Sequence, residues 1–141
     1  MHKIRTIQNK YTLKLIDMAT RFYKCNHCGN VIQKVVDSRV PVVCCGEKMT
    51  ELIPGTVDAS LEKHVPVVTW LDDKTILVKV GSVANPMITE HHIAFVYVET
   101  ENGGIRVDLK DTPEAVVYLG NEKPVAVYEY CNLHVLWKTE L

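Results

Sequence analysis

Cysteine and histidine carry the chemistry legible in this sequence, five of the first and six of the second. Cys25 and Cys28 form a Cys-x2-Cys knuckle, and Cys44 and Cys45 follow as an adjacent pair. A knuckle holds two sulfurs about 2.3 Å from one metal ion, and a second pair completes a tetrahedron of thiolates. Iron and zinc both suit such a set. The adjacent pair is the less usual half. Neighbouring side chains in an extended segment point to opposite sides, so placing both on one ion predicts a distorted backbone at Cys44-Cys45. A structural zinc ribbon is the plainer alternative, but it normally spaces both pairs.

A second group is scattered. Cys131 precedes His134 by three residues, a spacing that can chelate one ion, and His64 and His91 lie mid-chain. Taken singly, a histidine or cysteine is more often a packing residue than a ligand. Three imidazoles and a thiolate would suit iron, copper or zinc. An odd cysteine count, with no apolar export stretch among the first twenty residues, argues against a disulfide framework and for a cytoplasmic chain.

These residues need elements to position them. Residues 1–21 form an extension in which Ile4, Ile7, Tyr11, Leu15 and Met18 recur at helical steps. Either a short amphipathic helix or a frayed segment fits, and Met18 is a candidate alternative start. Residues 22–58 make a small unit, too short to bury a sufficient core without a metal or partner chain. Gly29 and Gly46 each follow a cysteine pair, where a tight turn brings amides toward sulfur. Pro54-Gly55 marks a turn near the boundary.

Residues 59–141 read as strands at Val65 to Trp70, Thr75 to Val80, Ile93 to Glu99, Ile105 to Leu109, Ala115 to Leu119, Val125 to Tyr130 and Val135 to Lys138. No helix is convincing there. The predicted class is all-β: a small metal-binding domain, then a seven-stranded antiparallel sandwich. A chain of 141 residues that is 47% apolar can fill a core, and a net charge of −1 argues against a nucleic-acid binder held by phosphate neutralisation. No apolar run approaches the roughly 18 to 20 residues of a membrane span.

Together the motifs resemble those of the desulfoferrodoxin family, the two-iron superoxide reductases. The resemblance runs from about Phe22 to Trp137. It rests on Tyr-Lys-Cys-x-His-Cys-Gly-Asn at 23–30, Val-Cys-Cys-Gly-Glu-x-Met at 43–49 and Glu-Lys-His-Val-Pro at 62–66. It continues in Val-Gly-Ser-Val at 80–83, Pro-Met at 86–87 and Glu-Tyr-Cys-Asn-Leu-His-x-Leu-Trp-Lys at 129–138.

The resemblance implies a desulforedoxin-like domain whose Fe(Cys)4 centre uses Cys25, Cys28, Cys44 and Cys45. It also implies an immunoglobulin-like sandwich holding a catalytic iron. His64, His91 and His134 match three equatorial imidazoles and Cys131 the axial thiolate, with one position open in the ferrous state. The implied activity is one-electron reduction of superoxide to hydrogen peroxide, a detoxification suited to an anaerobe-type cytoplasm. Lys63 matches a lysine that attracts the anion and orients water. Glu62 matches a glutamate that closes the open position in the ferric state. Electrons would come from a rubredoxin-like donor or a reductase, and a homodimer is expected.

One ligand position departs from the pattern. Asn85 stands where the family has its remaining histidine, before Pro86-Met87. His92 is a poor replacement, since it neighbours His91 on an extended segment. Three outcomes fit: iron with water or the Asn85 oxygen in the gap, weak binding, or zinc in a tetrahedral set. Two other functions stay open: a rubredoxin-like electron-transfer protein with an impaired second site, and a zinc-stabilised structural protein.

Overall fold

The structure is a computed structural model that describes residues 19–55, 61–81 and 85–141. The helical periodicity at 4–18, the start at Met18 and Ser82-Val83 lie outside the described residues. The chain divides into two compact units, Met1–Leu52 and Ile53–Leu141.

In the first unit, strand β1 (Phe22–Lys24) lies between β2 (Val31–Gln33) and β5 (Thr50–Leu52), all antiparallel. Strands β3 (Val43–Cys44) and β4 (Glu47–Lys48) form a separate hairpin. Strands of two or three residues bury little: among the described residues of this unit, Phe22, Cys25, Met49 and Leu52 are the buried apolar side chains. The bend at Asp37-Ser38-Arg39 is held by a charge cluster. The buried Asp37 carboxylate accepts from the Arg39 backbone N–H at 2.7 Å and pairs with Arg21 and Lys34, each at 3.2 Å. The Arg39 N–H is the main reason its carboxyl is held below the usual range, and the Lys34 ammonium adds to it.

The second unit begins with a single helical turn, α1 (Leu61–His64). The sequence expects no helix there, because one turn is too short to display a hydrophobic period. Seven strands follow: β6 (Pro66–Asp72), β7 (Thr75–Val80), β8 (Ile93–Thr100), β9 (Gly103–Asp108), β10 (Glu114–Tyr118), β11 (Pro124–Cys131) and β12 (Val135–Glu140). They form a three-stranded sheet, β10-β7-β6, and a four-stranded sheet, β12-β11-β8-β9, antiparallel throughout. The fold is the expected seven-stranded sandwich. Ile76, Val78, Val80 and Val117 from one sheet meet Ile93, Val96, Val98 and Val127 from the other in one core, and Cys131 belongs to it. Among the described residues, no helix is long and apolar enough to cross a membrane.

Alternation explains what β11 delivers. Successive side chains take opposite faces. Val127, Glu129 and Cys131 therefore share the inner face, while Tyr128 and Tyr130 share the other and meet Tyr97 and Phe95 across β8. The β8–β11 register shifts between Tyr130 and Cys131. Such irregularities re-aim a side chain at the end of a strand.

The sequence places Gly103 and Gly104 in a turn; both lie in β9 instead. Gly104 is there for close approach: a Cβ would overlap the hydroxyl and ring of the buried Tyr97. Gly104→Ala is expected to lower unfolding stability by about 1–3 kcal/mol, read from the denaturant midpoint. An unchanged midpoint would mean that the Tyr97 ring swings clear at no cost.

Candidate metal centres

The sulfurs of Cys25, Cys28, Cys44 and Cys45 all lie within 4.8 Å of one another. The knuckle is closed by two backbone hydrogen bonds, Gly29 N–H to Cys25 O at 2.9 Å and Cys25 N–H to Asn30 O at 2.8 Å. Gly29 takes a φ of 85°, the left-handed conformation that glycine adopts without a side-chain clash.

The adjacent pair converges by another route. Val43 pairs with Lys48 and Cys44 with Glu47, so Cys45 and Gly46 are the two loop residues of the β3–β4 hairpin. Their φ values are 53° and 78°. Two positive angles in sequence define the type I′ turn, whose twist matches the flanking strands. This is the distorted backbone that two neighbouring ligands require: the left-handed step turns the Cys45 sulfur to the same side as that of Cys44. The conformation costs a non-glycine residue roughly 1–2 kcal/mol.

The thiols affect one another strongly. The Cys28 backbone N–H, 3.4 Å from the Cys25 sulfur, is the main cause that lowers the Cys25 thiol to about 6. Cys45 is pushed up to about 12, chiefly by sharing a hydrogen bond with Cys28. Four sulfurs this close cannot all ionise unless a cation sits among them. The donor set therefore fits iron or zinc.

The second cluster joins three elements. His64 ends α1, Cys131 ends β11, and His134 sits in the short loop before β12; their donor atoms lie within 4.8 Å of one another. Cys131 Sγ is 3.8 Å from His134 Nδ1. Burial pushes the Cys131 thiol up, while backbone N–H groups of His134 and Leu133 pull the other way. The ring of His91 lies edge-on to His134 at 5.1 Å between centroids. His91 is thus beside the cluster rather than within its tightest set. Its Nε2 is nonetheless buried without a hydrogen bond. A buried nitrogen without a protein partner fits a bound cation.

Residues that motif spacing does not single out hold these ligands in place. Glu129 is fully buried, and its carboxylate oxygen is 3.4 Å from His64 Nδ1, outside hydrogen-bond geometry. That leaves His64 Nε2 for a metal, with a carboxyl behind the imidazole. Trp137 stacks on His64 at 5.2 Å and donates its indole N–H to the His134 carbonyl at 2.9 Å. Asn132 accepts from the His92 backbone N–H at 2.8 Å and donates to Glu90 O at 3.0 Å, stitching the His91 segment to the Cys131–His134 loop. Glu129, Asn132 and Trp137 all fall inside the motif at 129–138, the one signal that could have pointed to them.

Lys63 is exposed beside His64. The Glu62 side chain lies outside the described residues. The His92 ring faces the carbonyls of Ile88 and Thr89, at 3.0 and 3.2 Å. Asn85 donates from its amide nitrogen to Lys63 O at 2.6 Å and Val80 O at 2.7 Å.

The sequence and the fold have known counterparts. The desulfoferrodoxin family profile matches residues 56–140, and that of the desulfoferrodoxin N-terminal domain matches residues 19–52. This chain belongs to the desulfoferrodoxin family. The desulfoferrodoxin of Syntrophotalea carbinolica is 44% identical over 120 residues, covering 84% of this chain and 94% of that protein. The desulfoferrodoxin of Nitratidesulfovibrio vulgaris is 42% identical over 123 residues, with the same coverage of 84% and 94%. The superoxide reductase from Treponema pallidum has a similar solved structure, with a TM-score of 0.71 and 30% identity over 86% of this chain and 98% of that one.

Burial gives the metal-free second centre a two-sided pH dependence. Burial, then the neighbouring imidazoles, lowers His64 from 6.5 to about 4. The unfolded chain thus takes up this proton first, and stability falls as pH drops from 6.5 to 4. Burial raises Glu129 from 4.5 to about 9, so its contribution is full below 4.5 and is lost as pH rises toward 9. Urea midpoints across pH are expected to decline on both sides. Glu129→Gln is expected to remove the alkaline decline and keep the acid one. An alkaline decline that persists in the variant would locate it elsewhere.

Proposed function

We propose that this chain is a superoxide reductase, with the centre at His64, His91, Cys131 and His134 as its reactive site. The observation that carries this is the convergence of His64, Cys131 and His134 donor atoms within 4.8 Å, with Cys131 in the sandwich core. The likeness to the superoxide reductase from Treponema pallidum supports it. One electron and two protons convert superoxide to hydrogen peroxide. An iron ion held by these four residues would supply that electron.

The chain's own groups do the rest. His64 and Cys131 are buried, so water reaches them poorly and their donor atoms stay fixed. His64 stays neutral well below neutral pH, which keeps a nitrogen lone pair for a metal. The N–H groups of Leu133 and His134 turned toward the Cys131 sulfur stabilise its ionised form. Lys63 stands exposed beside His64, and its charge helps lower both His64 and His91. The same charge draws a small anion toward the site and orients water for proton delivery. Glu62, on the same turn, takes the role of limiting access to the open position.

In this reading residues 22–58 are the Fe(Cys)4 domain and residues 59–141 the catalytic sandwich. Electrons come from a rubredoxin-like donor or a reductase. The protein works as a homodimer in the cytoplasm. Electron transfer by the first centre alone is the second reading, favoured by the amide of Asn85 binding backbone where the family has a histidine ligand.

Metal content and superoxide kinetics separate these readings. Two irons per chain and a rapid second-order reaction with superoxide are expected. One iron with no such reaction would favour electron transfer, and zinc alone a structural role. Lys63→Ala is expected to slow the second-order rate by about tenfold at low salt and to weaken its ionic-strength dependence. An unchanged rate would discard steering by Lys63.

A further inference from the structure

We infer that Asn85 is a positioning residue for the second centre: its carboxamide nitrogen ties the turn carrying Lys63 and His64 to the end of β7. The argument starts from the acceptors. One terminal atom of Asn85 faces two backbone carbonyls, Lys63 O at 2.6 Å and Val80 O at 2.7 Å. Carbonyl oxygens only accept, so the atom between them must be the amide nitrogen, which carries two N–H groups. The amide is thereby oriented by chemistry.

Both carbonyls need such a donor. A helical turn leaves its last carbonyls without partners inside the helix, and α1 is only four residues long. Lys63 O is one of these. Val80 is the last residue of β7, and its own N–H goes to Pro113 O at 2.9 Å. One further bond joins the same two segments, Gly81 N–H to Val65 O at 3.0 Å. Together the three bonds hold α1 and the start of β6 against the exit of β7. His64 follows Lys63 directly, so this stitch sets how its imidazole enters the space beside Trp137, Cys131 and His134.

The choice of residue follows. A neutral imidazole has one N–H and cannot serve both carbonyls, and a carboxylate has none. In this chain the amide nitrogen at this position serves the backbone. Its meaning for the second centre rests on the proposed reactive centre; the stitch itself does not.

Asn85→Asp tests the stitch. The full iron-loaded chain is the sample, and there are two readouts. The first is hydrogen–deuterium exchange across α1 and the start of β6. The second is iron retained after dialysis against a chelator. Loss of two hydrogen bonds, with oxygen now facing oxygen, is expected to speed exchange by about tenfold and hasten iron loss. Unchanged exchange overturns the inference. Asn85→Ala, which adds no charge, is expected to speed exchange likewise, and unchanged exchange there also overturns it. A wild-type chain with no second metal would defeat the reactive-centre reading while leaving the exchange comparison intact.

Discussion

Nitrogen and sulfur donors converge beside an apolar core, and the second unit is organised around them. His64 and Cys131 are buried, and Cys131 lies in the same cluster as the core valines and isoleucines. Taking such atoms out of water with only weak protein partners is unfavourable. A cation bound by all of them would compensate. The surroundings follow from that need. The alternation along β11 aims Glu129 and Cys131 inward, Trp137 flanks His64, and Asn132 joins the two ligand-bearing loops.

The first unit meets a related problem with less material. Its strands are two or three residues long and its buried apolar side chains few. Here four clustered thiols could hold an ion in place of a larger core, where burial alone gives too little stability. The left-handed Cys45 belongs to the same economy. A hairpin loop that ordinarily favours asparagine or glycine carries a ligand instead, so two neighbouring residues can reach one ion.

Much of this was legible in the sequence, for reasons that differ by element. The seven strands of the sandwich stood out because runs of Val, Ile and Tyr alternate between turn residues, and most bounds fall within two residues of expectation. The knuckle at Cys25 and Cys28 was legible from spacing. So was the strain at Cys44-Cys45, although the type I′ turn that resolves it was not. Glu129 was hidden because a strand position reads the same whether its side chain meets solvent or an imidazole. The α1 turn was too short to leave a period. Asn85 was legible as a departure from the family pattern, yet its partners at Lys63 and Val80 are brought to it only by the folded chain. Gly104 looked like a turn residue because the ring it accommodates is on the neighbouring strand.

The span of chain between ligands differs sharply between the two centres. The four sulfurs come from Cys25 to Cys45, two local hairpin-like turns that close small loops. The other set runs from His64 to His134 and converges only when β6 to β12 have paired across two sheets. Loop-closure entropy grows with the length enclosed, and non-local pairings form slowly. The sulfur cage can therefore assemble early in folding, whereas the imidazole cluster comes together only once the sandwich has closed.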